Sequence, residues 1–296
     1  MYRGRIAPTP TGRLHLGHAA TFHAAWRRAR ERRGQVVLRI EDLDPQRCRP
    51  EFSKGMIEDL RWLGLDWDEG PVHQSARRPL FLDAWRRLRD GGWIYPCARS
   101  RRDVAEAALA PHEEEPIYPP AWRAAPEEAL SWAEPRGVNW RFRVPDGETL
   151  SFPDGARGEV RRTAGADFGD FLVWNRDDVP AYELAVVVDD LAMDITEVVR
   201  GEDLLTSTCR QLLLYRALGG APPAFYHCPL VRDAEGRRLS KRGGALELRA
   251  LREAGKTAEE VLREAAAGLY ISSSANSSFS IASSLGGSNS RKRSAL

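Results

Sequence analysis

The sequence predicts an α/β protein: a parallel sheet in two halves, a small α+β subdomain inserted between them, and a short C-terminal helical stem. Three observations predict this fold. Residues 4–40 contain an apolar strand, a segment with helical spacing of apolar residues and a second strand, the pattern of a βαβ unit. Turn-rich sequence interrupts this pattern over residues 97–160. Strand-like runs then return after residue 161.

Bulk composition limits the class of protein. The chain has 296 residues, of which 42% are hydrophobic and 29% charged, and its formal net charge is +2. These values are ordinary for a globular domain. No apolar run approaches the roughly 20 residues that cross a bilayer, and the N-terminus does not resemble a signal peptide. The four cysteines are scattered, as is typical of a reducing compartment. We therefore expect a cytoplasmic protein, and we expect a monomer.

The first βαβ unit places a candidate site near the N-terminus. Its first strand, residues 4–7, leads into two prolines, which cannot donate to a sheet ladder. The helix predicted from Leu16 ends at Gly34, and a strand over residues 36–40 follows at once. In a right-handed βαβ unit a ligand binds at the carboxyl ends of the strands, beside the N-terminus of the helix.

His15, Gly17 and His18 fall at this helix N-terminus. Two imidazoles beside a phosphate can donate hydrogen bonds to the charge that develops in phosphoryl or nucleotidyl transfer. Gly17 lacks a side chain and lets a flat base lie against the backbone. Taken alone, the H-x-x-H pattern favours two surface histidines on a helix. A metal site is disfavoured because no third ligand stands at a recognisable spacing.

Charged residues also mark the strand ends. Arg5 lies on the first strand, and Glu41, Asp42 and Asp44 follow the second. An arginine can grip a carboxylate with two hydrogen bonds, while a carboxylate can hold an ammonium group. Acidic residues at a strand end are otherwise ordinary turn formers. Paired across a parallel sheet, Arg5 and Glu41 define a pocket suited to an acidic amino acid.

The remaining elements are predicted in chain order. They comprise helices over residues 51–63 and 79–90, a strand at 95–97, a helical piece at 102–109, hairpin-like alternation over 140–152, strands at 170–174, 181–188 and 195–199, a helix at 207–218, a strand at 227–231, a polar loop at 237–242 and a helix at 257–267.

The polar loop changes the interpretation of the histidines. It reads L-S-K-R over residues 239–242, with glycines on both sides. H-L-G-H and L-S-K-R together resemble the paired signatures of class I aminoacyl-tRNA synthetases. The flanking R-I-A-P-T-P-T-G-R-L-H-L-G-H and L-R-I-E-D-L-D-P narrow this resemblance to the glutamyl branch. The resemblance implies a Rossmann-like catalytic domain that activates L-glutamate with ATP and Mg²⁺.

The resemblance also implies roles for individual residues. The catalytic residues would be His15, His18 and Lys241. ATP would be bound by His15, Gly17, His18, Leu239, Ser240 and Lys241. Glutamate would be bound by Arg5, Ala7, Thr9, Glu41, Tyr182 and Arg200, with Glu41 at the ammonium and Arg200 at the side-chain carboxylate. A surface ion pair for Arg200 and a core position for Tyr182 are the alternatives. No protein ligand is predicted for Mg²⁺, which phosphates and water would hold.

The inserted segment departs from the family. Members often carry C-x-C followed by Y-x-x-x-C, four ligands for a tetrahedral zinc ion. Here Cys97 and Tyr118 remain, whereas Arg99 and Trp122 occupy the other two thiol positions. We therefore predict that zinc is absent and that packing of Trp122, Trp132 and their neighbours holds this region.

The predicted domain organisation has five parts. Residues 1–96 and 161–235 are the halves of the catalytic domain, 97–160 the insertion, 236–270 the signature loop and stem, and 271–296 a Ser-rich, disordered tail. Because little chain follows the signature loop, the sequence resembles the compact glutamyl subfamily without an anticodon-binding domain. Its members join glutamate to queuosine at the wobble position of tRNA(Asp), which would be the partner. The alternatives are a truncated glutamyl-tRNA synthetase, a non-catalytic nucleotide- or tRNA-binding paralogue and another nucleotidyltransferase.

Overall fold

The computed structural model describes residues 1–99, Asp103, residues 117–231 and residues 247–274, the last six of these by backbone alone. The helical piece predicted at 102–109 falls almost wholly outside the described residues. So do Leu239, Ser240 and Lys241 of the signature loop, and residues 275–296 of the predicted tail. Within the described ranges, no helix combines the length and the apolar character that a membrane span requires.

The N-terminal half is the predicted βαβ unit extended by a further strand. It comprises β1 (Arg3–Ile6), α1 (Leu16–Glu31), β2 (Gln35–Ile40), α2 (Pro50–Trp62), β3 (Glu69–His73) and α3 (Arg78–Asp90). The three strands form a parallel sheet in the order β1-β2-β3, with Arg5 opposite Val37. The parallel pairing of β1 with β2 confirms the predicted topology.

The middle of the chain forms three antiparallel strand pairings. β4 (Ile94–Cys97), β5 (Asn139–Phe142) and β8 (Phe171–Trp174) form one sheet, with the short helix α4 (Pro126–Leu130) between β4 and β5. The hairpin predicted over residues 140–152 is wrong, because β6 (Thr149–Asp154) pairs instead with β7 (Gly158–Thr163). Alternating apolar residues indicate a strand but do not identify its partner. The turn at residues 145–147 therefore links two different sheets.

The C-terminal half contains α5 (Tyr182–Ala192), β9 (Glu197–Gly201), α6 (Leu205–Ala217) and β10 (Ala224–Cys228). A strand predicted at residues 181–188 is wrong, because these residues open α5. All residues from 183 to 190 are buried, so the apolar residues of this run do not recur with a helical period. Its consecutive valines therefore resemble those of a buried strand. Pro180 before the run and Glu183 in its first turn are the helix-start signals.

The two halves meet through their parallel strands. The second sheet has the order β7-β6-β10-β9, and the Thr196 amide donates to the Arg3 carbonyl oxygen at 2.8 Å, which sets the start of β9 beside β1. The predicted domain boundary at 160/161 lies inside β7, which is joined through β6 to β10. The proposed domain limits stay predictions.

Two helices close the described chain: the short α7 (Leu248–Glu253) and the longer α8 (Ala258–Ser274). The sequence did not predict α7. The predicted tail from residue 271 is wrong at its start, because residues 271–274 continue α8. Apolar residues of α7 and α8, including Leu248 and Val261, pack in one core with β1, β2 and α1. A second core lies between α3, α5, α6 and the antiparallel strands.

Candidate active site

One cavity gathers the described residues that the sequence predicted for the site. It lies at the carboxyl ends of β1, β2 and β9, beside the N-terminus of α1, and has a volume of about 290 Å³. Its lining includes Arg5, Ala7, Thr9, His15, Gly17, His18, Glu41, Tyr182 and Arg200. Leu239, Ser240 and Lys241 lie outside the described residues. The roles assigned to these residues stay predictions, but the nine described ones share one cavity.

The side chains of His15 and His18 cap the N-terminus of α1. The Gly17 amide donates to Nδ1 of His15, and the His15 amide donates to Nδ1 of His18, both at 3.1 Å. The ring centroids are 3.7 Å apart. Because each Nδ1 accepts a hydrogen bond, a neutral ring carries its proton on Nε2. Each imidazole is therefore held in a tautomer that can donate through Nε2 to a phosphate oxygen.

The described residues on either side of the predicted signature lysine, Val231 and Glu247, lie close to the candidate site. Val231, the last described residue before it, lines the cavity. Glu247, the first described residue after it, forms a β-bridge with His15. The Leu248 amide also donates to the Leu14 carbonyl oxygen at 2.9 Å. The two described residues that flank positions 232–246 therefore lie at or next to the cavity.

A buried ion network holds the arginine and the carboxylate that the sequence assigned to the amino acid. Arg39 donates to Asp190 Oδ1 at 2.6 Å and to Glu41 Oε1 at 3.1 Å, and Arg5 Nε donates to the same Asp190 oxygen at 3.3 Å. Arg39 and Asp190 are almost completely buried. Burial raises the pKa of Glu41, against the opposing effect of Arg39 and Arg5. An ammonium group bound at Glu41 would favour the charged carboxylate.

A second network fixes Arg200. Its Nε donates to His227 Nε2 at 3.2 Å, and its Nη2 donates to the Thr208 hydroxyl at 2.6 Å. His227 Nδ1 lies 2.6 Å from Asp154 Oδ2. His227 and the Asp154 carboxylate are fully buried. Since Nε2 accepts from a guanidinium, the neutral ring carries its proton on Nδ1 and donates it to Asp154. The chain Asp154–His227–Arg200 orients the guanidinium toward the cavity.

Sequence reasoning missed these supporting residues. Asp154 was placed in the insertion, and His227 was treated only as part of a strand. The signal for a buried network was present in β2, where Arg39 interrupts an apolar run. A buried arginine requires a carboxylate partner. The sequence alone does not say that the partner is Asp190, 151 positions away.

The His227 network predicts an acid-sensitive fold. Burial, with the Arg200 guanidinium facing Nε2 and Arg5 nearby, lowers the pKa of His227 to about 4, although the Asp154 carboxylate opposes this shift. Unfolded chains bind a proton at this residue below about pH 6.5. The native state is therefore expected to lose stability as the pH falls from about 6.5 to 4.

Urea unfolding of the wild type and of His227→Gln at several pH values measures this effect. Histidines elsewhere add to the slope in both proteins, so the difference between the two curves isolates His227. The difference is expected to narrow as the pH falls through this window, because only the wild type loses the contribution of a neutral imidazole. Parallel curves would contradict the assignment.

The insertion brings together the four positions of the family's zinc pattern. Cys97 Sγ lies 3.2 Å from the Tyr118 hydroxyl, and the Arg99 guanidinium stacks on the Trp122 ring at 4.8 Å. Tyr118 and Trp122 contact edge to face, with centroids 5.6 Å apart. One thiol, one phenol, a guanidinium and an indole do not form a zinc ligand set. These residues do not fit the ion.

Comparison with known proteins places this architecture among tRNA synthetases. Residues 1–284 match the family described as tRNA synthetases class I (E and Q), catalytic domain. A protein of Symbiobacterium thermophilum named Glutamyl-Q tRNA(Asp) synthetase is 48% identical, and one of Nitratidesulfovibrio vulgaris with the same name is 46% identical. Each match covers 88% of this chain and 84% of the relative. A Glutamate--tRNA ligase of Trichodesmium erythraeum is 43% identical, but the match covers only 30% of that protein.

A solved structure agrees with the sequence matches. The glutamate-tRNA synthetase of Elizabethkingia anophelis superposes with a TM-score of 0.71 at 29% identity. The match covers 82% of this chain and 53% of that protein, so the chain corresponds to about half of it.

Proposed function

This chain belongs to the family of class I tRNA synthetase catalytic domains for Glu and Gln, and from this premise we propose that it activates L-glutamate with ATP and transfers the glutamyl group to queuosine at the wobble position of tRNA(Asp). One observation carries the amino-acid half of this proposal. Two buried guanidinium groups, Arg5 and Arg200, and the Glu41 carboxylate line the same cavity as the α1 N-terminus. That charge pattern complements two carboxylates and one ammonium group.

The first step forms a mixed anhydride. An oxygen of the glutamate α-carboxylate attacks the α-phosphorus of ATP. The bond from the α-phosphorus to the oxygen that bridges the α- and β-phosphates breaks, and pyrophosphate leaves with the electron pair. His15 and His18 would donate hydrogen bonds through Nε2 as charge builds on the phosphate oxygens. Lys241 would neutralise charge on the α-phosphate and the departing pyrophosphate. The rate comes from orientation and charge stabilisation, without a protein nucleophile.

The second step transfers the glutamyl group. A queuosine hydroxyl oxygen attacks the carbonyl carbon of the anhydride, the carbon–oxygen bond to AMP breaks, and AMP leaves. The hydroxyl proton passes to a phosphate oxygen of the departing AMP. Arg5, Glu41 and Arg200 hold the glutamyl group throughout.

Mg²⁺ would accompany ATP and neutralise part of the phosphate charge. Within residues 1–99, 117–231 and 247–274, no group of three or more His, Cys, Asp or Glu side chains is arranged to hold a metal ion. We propose that phosphate oxygens and water hold Mg²⁺. We also propose that the enzyme works as a monomer in the cytoplasm, in keeping with its four free cysteines.

The acceptor of the glutamyl group is proposed from the names of the similar proteins. Two relatives named Glutamyl-Q tRNA(Asp) synthetase are 46% and 48% identical, and each is matched over 84% of its length. The Glutamate--tRNA ligase of Trichodesmium erythraeum is 43% identical and is matched over 30% of its own length. Ordinary glutamylation of tRNA(Glu) is therefore the second candidate function, and it uses the same first step.

Transfer of labelled glutamate distinguishes the two functions. The acceptors are tRNA(Asp) with queuosine, tRNA(Asp) with unmodified guanosine, and tRNA(Glu). We expect label only on the queuosine sample, and we expect it to persist when the 3′-terminal nucleotide is removed. Label on tRNA(Glu) that is lost with the 3′ end would show a conventional synthetase. Glutamate-dependent pyrophosphate exchange without label on any tRNA would contradict both transfer reactions.

A further inference from the structure

A second cavity adjoins the predicted glutamate site. It has a volume of about 520 Å³, which is within the usual range for a site that holds a small molecule. The two cavities share three lining residues, Thr9, Glu41 and Tyr182. None of the histidines of α1 lines the second cavity, and none of the antiparallel strands lines the first. The shared residues form a wall with the α1 N-terminus on one side and β8 on the other.

The lining of the second cavity suits a neutral ring with polar edges. Phe171, Leu172 and Val179 give it an apolar side. The charges are largely paired, since Arg47 contacts Asp44 at 2.6 Å and Arg210 lies 3.9 Å from Glu183. A site for a polyphosphate would need an excess of positive charge, whereas this lining contains three arginines and three carboxylates.

Arg141 is a polar group of this lining whose guanidinium has hydrogen-bonding capacity to spare. It is 7% exposed. Its Nη1 donates to the Asp170 carbonyl oxygen at 2.8 Å, and its guanidinium lies over the Tyr118 ring at 4.4 Å. Its Nε is buried without a hydrogen-bond partner. Arg141 lines the cavity, and a buried donor without a partner is costly, so an acceptor that reached this guanidinium would be stabilised.

We propose that the second cavity binds the hydroxyl-bearing nucleoside of the acceptor tRNA, with the ring against Phe171 and Leu172 and an oxygen acceptor at Arg141. The proposal rests on the proposed function, because it assigns a place to the second substrate. Glu41 would hold the ammonium group, so the neighbouring carbonyl carbon lies at the shared wall. The AMP moiety extends toward His15 and His18. A hydroxyl in the second cavity would therefore lie next to the carbonyl carbon and add to it across a face of the carbonyl group.

The reaction at the wall is a simple acyl transfer. The hydroxyl oxygen forms a bond to the carbonyl carbon, the carbon–oxygen bond to AMP breaks, and AMP departs into the first cavity with the hydroxyl proton on its phosphate. No oxidant, reductant or further reactant is needed. Separate cavities would let ester and AMP leave without passing each other.

Filling the second cavity tests the proposal. Leu172 lines only this cavity and is half-buried, so Leu172→Trp adds an indole where the nucleoside would lie. Val179→Trp fills it from the loop after β8 and serves as an independent variant. Leu130→Trp is the matched control, because Leu130 is 60% exposed and lines neither cavity. Thermal unfolding shows whether each variant is folded.

Two rates are compared in each protein: glutamate-dependent pyrophosphate exchange, and transfer of glutamate to queuosine-containing tRNA(Asp) in a single turnover. We expect the cavity-filling variants to lower transfer at least 50-fold while exchange stays within threefold, and we expect the control to change neither. Unchanged transfer in folded variants would overturn the proposal, and so would an equal loss of both rates. A wild type that exchanges pyrophosphate but labels no tRNA(Asp) would instead overturn the proposed acceptor.

Discussion

Replacing Arg200 by alanine is expected to lower kcat/KM for glutamate in pyrophosphate exchange by about a thousandfold, or roughly 4 kcal/mol. Arg200 is 5% exposed and lines the first cavity. Its guanidinium is oriented by His227 and Thr208, so no other cation can take its place without rebuilding that network. A side-chain carboxylate would enter a buried site with its partner removed, which is strongly unfavourable.

The specificity of Arg200→Ala is as informative as its rate. Glutamine differs from glutamate in lacking the side-chain charge, so the variant should lose the preference for glutamate over glutamine. The KM for ATP should stay close to the wild-type value. Arg216→Ala is the matched control: Arg216 forms an exposed ion pair with Glu148 at 2.6 Å and does not line the cavity. Exchange at the wild-type rate in Arg200→Ala would remove this residue from the glutamate site.

Replacing Asp190 by asparagine is expected to reduce the free energy of unfolding by about 3–5 kcal/mol. The Asp190 carboxylate is 1% exposed and contacts both Arg39 and Arg5. Despite burial, which opposes the shift, these arginines lower the pKa of Asp190. The ion pairs therefore stabilise the fold at neutral pH, and this contribution is lost when the pH falls through the lowered pKa. The variant leaves two buried guanidinium groups without their shared anion.

Urea unfolding at pH 7 measures the effect of Asp190→Asn. Asp66→Asn is a suitable control, because the Asp66 side chain is 74% exposed although it also contacts an arginine. An exposed ion pair contributes about 0–1 kcal/mol, so the control should unfold near the wild-type midpoint. A loss below 1 kcal/mol in Asp190→Asn would show that Glu41 alone can neutralise the buried arginines.

The local sequence pattern was sufficient to predict the N-terminal βαβ unit. The helix at Leu16–Glu31 and the flanking strands were predicted because each has a clear apolar period and a terminator in the sequence. The same reasoning failed at Tyr182–Ala192, where burial on every face removes the period. It also paired β5 with β6, although strand partners are determined by contacts remote in sequence.

The sequence by itself determined which residues could carry the chemistry: the histidines of H-L-G-H, Arg5, Glu41 and Arg200, with their order along the chain. Only the tertiary structure decided how the groups are held. Asp190 joins Arg5 to Arg39, and Asp154 fixes Arg200 through His227. These partners are separated by 27 to 185 positions. Burial excludes water and makes an unpaired charge costly, so each pairing depends on which strands and helices lie side by side, and that is a property of the folded chain.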